Sequence, residues 1–66
     1  MRINKNKMLI EMVLQGYSLV KFAEVSGVSR ATLSAIKNGK TCSINTAAKI
    51  CKALGVEVEE LLESEV

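Results

Sequence analysis

LVKFAEVSGVSRATLSAIKN, residues 19–38, decides the fold. Leu33 and Ile36 lie three apart, the spacing that places two side chains on one face of a helix. Ser29 stands just ahead of that helix and is a good N-cap. Val28 precedes the cap and is placed to pack on Leu33, the hydrophobic staple arrangement. Upstream, Ala23 is small where the second helix has to cross the first, and Gly27 accepts the left-handed backbone that a tight turn demands. These positions predict two short helices joined by a tight turn and packed at a steep angle. Packing alone leaves two readings open. One is a purely structural helical hairpin; the other is a hairpin that presents its second helix to a ligand.

Outward from this stretch, Gly16, Gly27, Gly39 and Gly55 each follow a plausible helix end. The segments between them are about eleven residues long, a common helix length. The first helix is expected over residues 5–15, capped by Asn4, with Met8, Leu9, Met12 and Val13 as its buried stripe. Ile10 and Leu14 supply more apolar surface than one face needs, and are expected to complete the same core. The second helix is expected over residues 19–25, capped by Ser18, with Val20, Phe22, Ala23 and Val25 on its apolar side. The third is expected over residues 30–38. The fourth runs over residues 44–54 with Ser43 as its cap and Ala47, Ile50, Cys51 and Leu54 on one side. A short fifth helix is expected over residues 58–63, with Val58, Leu61 and Leu62 apolar and Glu57 a poor cap. No strand pattern, repeat or linker is visible. The fold class is therefore all-α.

The chain has 66 residues, the size of one small domain, so residues 1–66 are read as a single unit. Apolar residues at 48% and charged residues at 24% suit a globular chain rather than a disordered one. Tyr17 and Phe22 are its only aromatics, so the core has to be largely aliphatic. Charge is unevenly distributed. All nine Lys and Arg fall in residues 1–56 against Glu11 and Glu24, a net +7, whereas residues 57–66 carry five Glu and no base. A basic body with an acidic end fits a polyanion-facing surface, and equally fits ordinary solvated charge.

Several function classes are disfavoured. The chain has no His, and Cys42 and Cys51 do not have metal-ligand spacing, so no metal or cofactor is expected. Both cysteines are expected as reduced thiols in a cytoplasmic protein. The first residues are polar and basic without a cleavage pattern, and no apolar run is long enough to cross a membrane. No phosphate-cradling Gly loop or nucleophile–base pairing is present, so an enzyme with a small-molecule substrate is not expected.

Residues 18–62 resemble the phage-repressor and Cro-type helix-turn-helix family, the Xre-like regulators. The resemblance starts from residues 19–38 and continues past them. Asn38-Gly39-Lys40 looks like that family's turn after its third helix, and SINTAAKICKALGVEVEELL, residues 43–62, looks like its fourth and fifth helices. The likeness is weaker in the first helix. It implies a compact five-helix bundle, a lambda-repressor-like DNA-binding domain, that places the third helix in the major groove of double-stranded DNA. Three positions depart from the family pattern. Leu19 stands where a phosphate-binding Gln is usual, Met12 where an Arg is usual, and Lys37 where the Glu pairing with that Arg is usual. The last two changes remove both members of an ion pair, which leaves no orphan charge.

On that resemblance, Arg30, Ala31, Thr32, Ser34 and Ala35 are the candidate base-reading residues. Arg30 is the only long donor among them, suited to the two acceptors of guanine in the major groove and equally to a phosphate contact or a solvated position. Ala31, Ala35 and the Thr32 methyl suit thymine methyls. The candidate phosphate-binding residues are Ser18, Ser29, Lys37, Lys40, Thr41 and Ser43, with added pull from Arg2, Lys5 and Lys7. The expected activity is that of a transcription regulator, a repressor, working as a homodimer on two half-sites. With the chain ending at Val66, pairing is expected to use this domain itself, through the fifth helix or through Ile10 and Leu14. The alternative is a protein-binding module, antitoxin-like or anti-repressor, that keeps the fold without the DNA function. Leu19, Ile10 and Leu14 motivate it as exposed apolar surface.

Overall fold

Three serines and an asparagine start four of the five helices. In the computed structural model, which describes residues 2–62, these are α1 (Lys5–Leu14), α2 (Leu19–Ser26), α3 (Arg30–Lys37) and α4 (Ile44–Leu54). Asn4, Ser18, Ser29 and Ser43 each accept a hydrogen bond from the backbone N–H three residues on, at 3.1–3.2 Å. Each satisfies one of the donors that a helix start leaves without a partner. The short α5 (Val58–Leu61) has no side-chain cap from Glu57, as that residue's poor capping chemistry predicts. Glu63, expected in this helix, lies outside the described residues.

Helix ends follow from glycine. Gly27 has φ +74° and donates to the Ala23 carbonyl at 3.0 Å, closing α2 and turning the chain into α3. Gly39 has φ +92° and donates to Ile36, while Lys40 donates to Ala35, the paired bonds of a Schellman ending. The boundaries expected from sequence are met to within a residue in α1 to α4.

The core takes its largest fully buried side chains from Met8 of α1, Phe22 of α2, Leu33 and Ile36 of α3, Ile50 of α4 and Leu61 of α5. Helix α2 packs on both α3 and α4, α1 on α3, and α5 on α4. Phe22 sits among them with the Tyr17 ring tilted against it, centroids 5.5 Å apart.

The buried faces of α1 and α2 differ from expectation. On α1 only Met8 and Met12 are buried, with Leu9 partly so. Val13, assigned to the buried stripe, and Ile10 and Leu14, expected to complete the core, are all exposed. On α2, Val20 and Val25 also face solvent, while Ser26 is buried. Leu19, read as exposed, is half-buried against the core. Burying a polar Ser26 is tolerated because its Oγ accepts from the Val28 N–H at 3.2 Å inside the turn. Ser26→Ala leaves that N–H without its partner. An urea titration should show a loss of about 1 kcal/mol with the slope unchanged.

The ends of the described chain meet. Ile3 is buried and forms a single antiparallel bridge with Leu62, next to a 2.7 Å hydrogen bond from the Asn4 N–H to the Leu61 carbonyl. Gln15 ties α1 to α4 by donating from Nε2 to the Leu54 carbonyl, also at 2.7 Å.

Candidate nucleic-acid interface

Helix α3 has two distinct sides. Leu33 and Ile36 fix one side in the core. The other carries Arg30, Ala31 and Lys37, all exposed, with Thr32, Ser34 and Ala35 half-buried beside them. The five candidate base-reading residues therefore share one small helix held rigidly by its opposite face. Arg30 is the longest side chain among them and stands in the first turn, where a helix entering a groove end-on places its reach.

The caps limit what the serines can do. Ser29 Oγ accepts from the Thr32 N–H and donates to Thr32 Oγ1 at 2.9 Å. Ser43 Oγ accepts from the Thr46 N–H and shares a 3.0 Å hydrogen bond with the Thr46 hydroxyl, in which either oxygen can donate. Ser18 Oγ accepts from the Lys21 N–H. What these positions offer an anion is thus the helix-start amides, together with the Ser18 hydroxyl, which accepts as a cap and still has its proton to donate. Thr32 accepts from Ser29 and keeps its own proton for another acceptor.

Lys37, Lys40 and Thr41 are exposed at the end of α3 and in the loop that follows. The backbone bond from Lys40 to Ala35 fixes where that loop leaves the helix. The structure divides the basic N-terminus. Lys5 Nζ comes within 3.8 Å of where a Cβ on Gly39 would stand, so it lies beside the turn that follows α3. Lys7 instead donates to the Glu60 carbonyl at 3.2 Å, turned toward α5. No spacing rule in the sequence separates these two lysines; only the packing of α1 beside α3 does. Lys21 lies 4.0 Å from Glu24, an exposed pair that contributes little.

The three departures at Leu19, Met12 and Lys37 have structural counterparts. Met12 is buried as an ordinary core side chain, Lys37 extends into solvent, and Leu19 packs partly inward. No lone charge is left in the core by the exchange.

Cys51 is buried on α4 and Cys42 is half-buried in the loop before it. Burial pushes both thiols up from their ordinary range, and for Cys51 the nearby Cys42 and Glu57 add to the effect. They are poor thiolates, unsuited to nucleophilic attack. Among the described residues no group of three His, Cys, Asp or Glu could hold a metal ion, and no helix is long and apolar enough to cross a membrane.

Residues 6–65 match the family model of the Cro/C1-type HTH DNA-binding domain. The chain is also 41% identical over 58 residues to an uncharacterized HTH-type transcriptional regulator, YgzD, of Bacillus subtilis (strain 168). That likeness covers 86% of this chain and 88% of the relative.

Proposed function

The chain belongs to the Cro/C1-type HTH DNA-binding domain family, a family of DNA-binding regulators and not of enzymes, and from that premise we propose how it acts. It acts as a single DNA-binding domain, a repressor that reads the major groove with α3. The observation that carries this reading is the two-sidedness of α3: its inner face is fixed in the core, and its outer face bears an exposed Arg30 and Ala31 with small polar side chains around them. Arg30, Ala31, Thr32, Ser34 and Ala35 meet base edges. Lys37, Lys40, Thr41 and the helix starts at Ser18, Ser29 and Ser43 hold the phosphates, with Lys5 beside them. Seated over a promoter in the cytoplasm, the domain keeps polymerase off it.

One domain covers only part of a helical turn, so two copies occupy two half-sites. The longest extent of the domain is 33 Å. Half-sites one turn apart are separated by about 34–36 Å, so two copies fit side by side on one face of the duplex.

Fluorescence anisotropy on mixed genomic DNA tests the reading. Affinity should fall linearly on a log–log plot against salt, with a slope of about −0.9 for each phosphate neutralised. A site selected from random DNA should be a near-palindrome. Absence of binding even at low salt overturns the proposal in favour of the protein-binding module.

A further inference from the structure

We infer that Ser29 is a positioning residue that sets the polarity of Thr32 toward DNA, so that the Thr32 hydroxyl donates to a base acceptor and disfavours cytosine. This rests on the reading that α3 faces base edges, and adds which chemical group Thr32 takes there. Ser29 Oγ accepts from the Thr32 N–H at 3.2 Å and donates its own proton to Thr32 Oγ1 at 2.9 Å. One serine thus holds both the backbone and the side chain of the same residue. A hydroxyl has one proton and two lone pairs. With the Ser29 proton on one lone pair of Thr32, the Thr32 proton has to point elsewhere. A hydroxyl that already accepts one bond donates the next more strongly.

The start of α4 supplies a contrast. Residues 29–32, SRAT, and residues 43–46, SINT, share a capping serine and a threonine three positions on. Between Ser43 and Thr46 the hydroxyls lie 3.0 Å apart and either can donate. Only at α3 does the geometry fix the direction. There the pair stands on the side that carries the exposed Arg30 and Ala31, with Ser29 exposed and Thr32 half-buried. No carboxylate occurs on α3 to take the Thr32 proton.

Base edges differ in what they give such a donor. In the major groove guanine shows N7 and O6, adenine N7 and thymine O4, whereas cytosine shows only an amino donor. A donating Thr32 therefore bonds three of the bases and meets the fourth proton against proton. Because cytosine pairs with guanine, the contact tells C·G from G·C on the strand that Thr32 faces.

Competition binding on the selected site, and on variants of it with cytosine placed at each position in turn, tests the assignment. For the parent, cytosine at the position facing Thr32 should lower affinity about two- to twelvefold, the net worth of one hydrogen bond. Thr32→Val keeps the shape and loses the hydroxyl, and should bring that ratio close to unity. Ser29→Gly keeps a cap backbone at little cost to the helix but removes the donor, and should shrink the ratio likewise. Ser29→Thr, which retains a hydroxyl, should preserve it. In the Thr32→Val chain, adding Ser29→Gly should move the ratio no further. The ratio compares two sequences on one protein, so a weakened cap alone leaves it unchanged. A Ser29→Gly chain that loses affinity evenly and keeps the parent ratio overturns the inference, leaving Ser29 a cap and nothing more. A ratio unmoved by Thr32→Val overturns it too. A parent that binds no DNA sinks the DNA reading and this inference together. A parent that discriminates among bases, with ratios indifferent to both substitutions, sinks this inference alone.

Discussion

Replacing Phe22 with alanine lowers the midpoint of thermal unfolding by roughly 12–40 °C. Phe22 is fully buried, on the helix that packs against both α3 and α4, with Tyr17 tilted on its ring. Truncating a buried Phe to Ala costs about 3–5 kcal/mol, from lost transfer energy and the cavity left behind. A 66-residue domain has about 3–10 kcal/mol of stability in total, at roughly 0.05–0.15 kcal/mol per residue. The substitution thus removes much or all of what holds the domain together. In a domain this small, each kcal/mol moves the midpoint by about 4–8 °C, which sets the range. A melt followed by circular dichroism checks it, with Leu14→Ala as the comparison. That exposed residue should change stability by about 0.5 kcal/mol at most. A shift for Phe22→Ala no larger than for Leu14→Ala would remove Phe22 from the centre of the core.

Arg30→Ala should relax discrimination at one base pair of the selected site by about 1–3 kcal/mol, roughly a 5- to 150-fold loss against that base. The expectation rests on where the side chain stands. It is exposed in the first turn of α3, with short neighbours at Ala31 and Ser34, so it alone has the reach for a two-acceptor contact with guanine. Lys40→Ala is the informative contrast. Lys40 lies in the loop after α3, and its loss should weaken binding evenly across sequences and reduce the salt slope by about 1. Competition binding with single-base variants of the selected site, repeated at several salt concentrations, separates the two behaviours. Should Arg30→Ala act evenly and flatten the salt slope, the side chain holds a phosphate, and base reading falls to the small residues of α3. Neither variant should alter the melt, because both side chains are exposed.

Helix boundaries were legible in the sequence because their signals are local. Ser18, Ser29 and Ser43 cap from three residues away at most, and Gly27 and Gly39 announce a left-handed turn by the side chain they lack. The direction each helix faces was less legible. Helix α1 is apolar on nearly every side, so hydrophobicity cannot choose among Met8, Ile10, Met12 and Val13; contact with α3 and α5 makes that choice. On α2, Val20 and Val25 advertise a core position, yet Ser26 takes one because the turn supplies its hydrogen bond. Ile3 was missed altogether. It is a lone apolar residue between Arg2 and Asn4, without periodicity, and only its bridge to Leu62 buries it. In the candidate interface the residue types on α3 and in the following loop were legible. The parting of Lys5 from Lys7 was not, because it depends on which neighbour each lysine meets in space.

The link between Asn4 and Leu61, with Ile3 sealed beneath it, also dictates when the domain can close. As the polypeptide leaves the ribosome, α1 to α3 can form their turns early, but the partner that covers Ile3 arrives with α5. A chain clipped before Leu61 would therefore leave Ile3 uncovered and display an open, sticky interior to quality control.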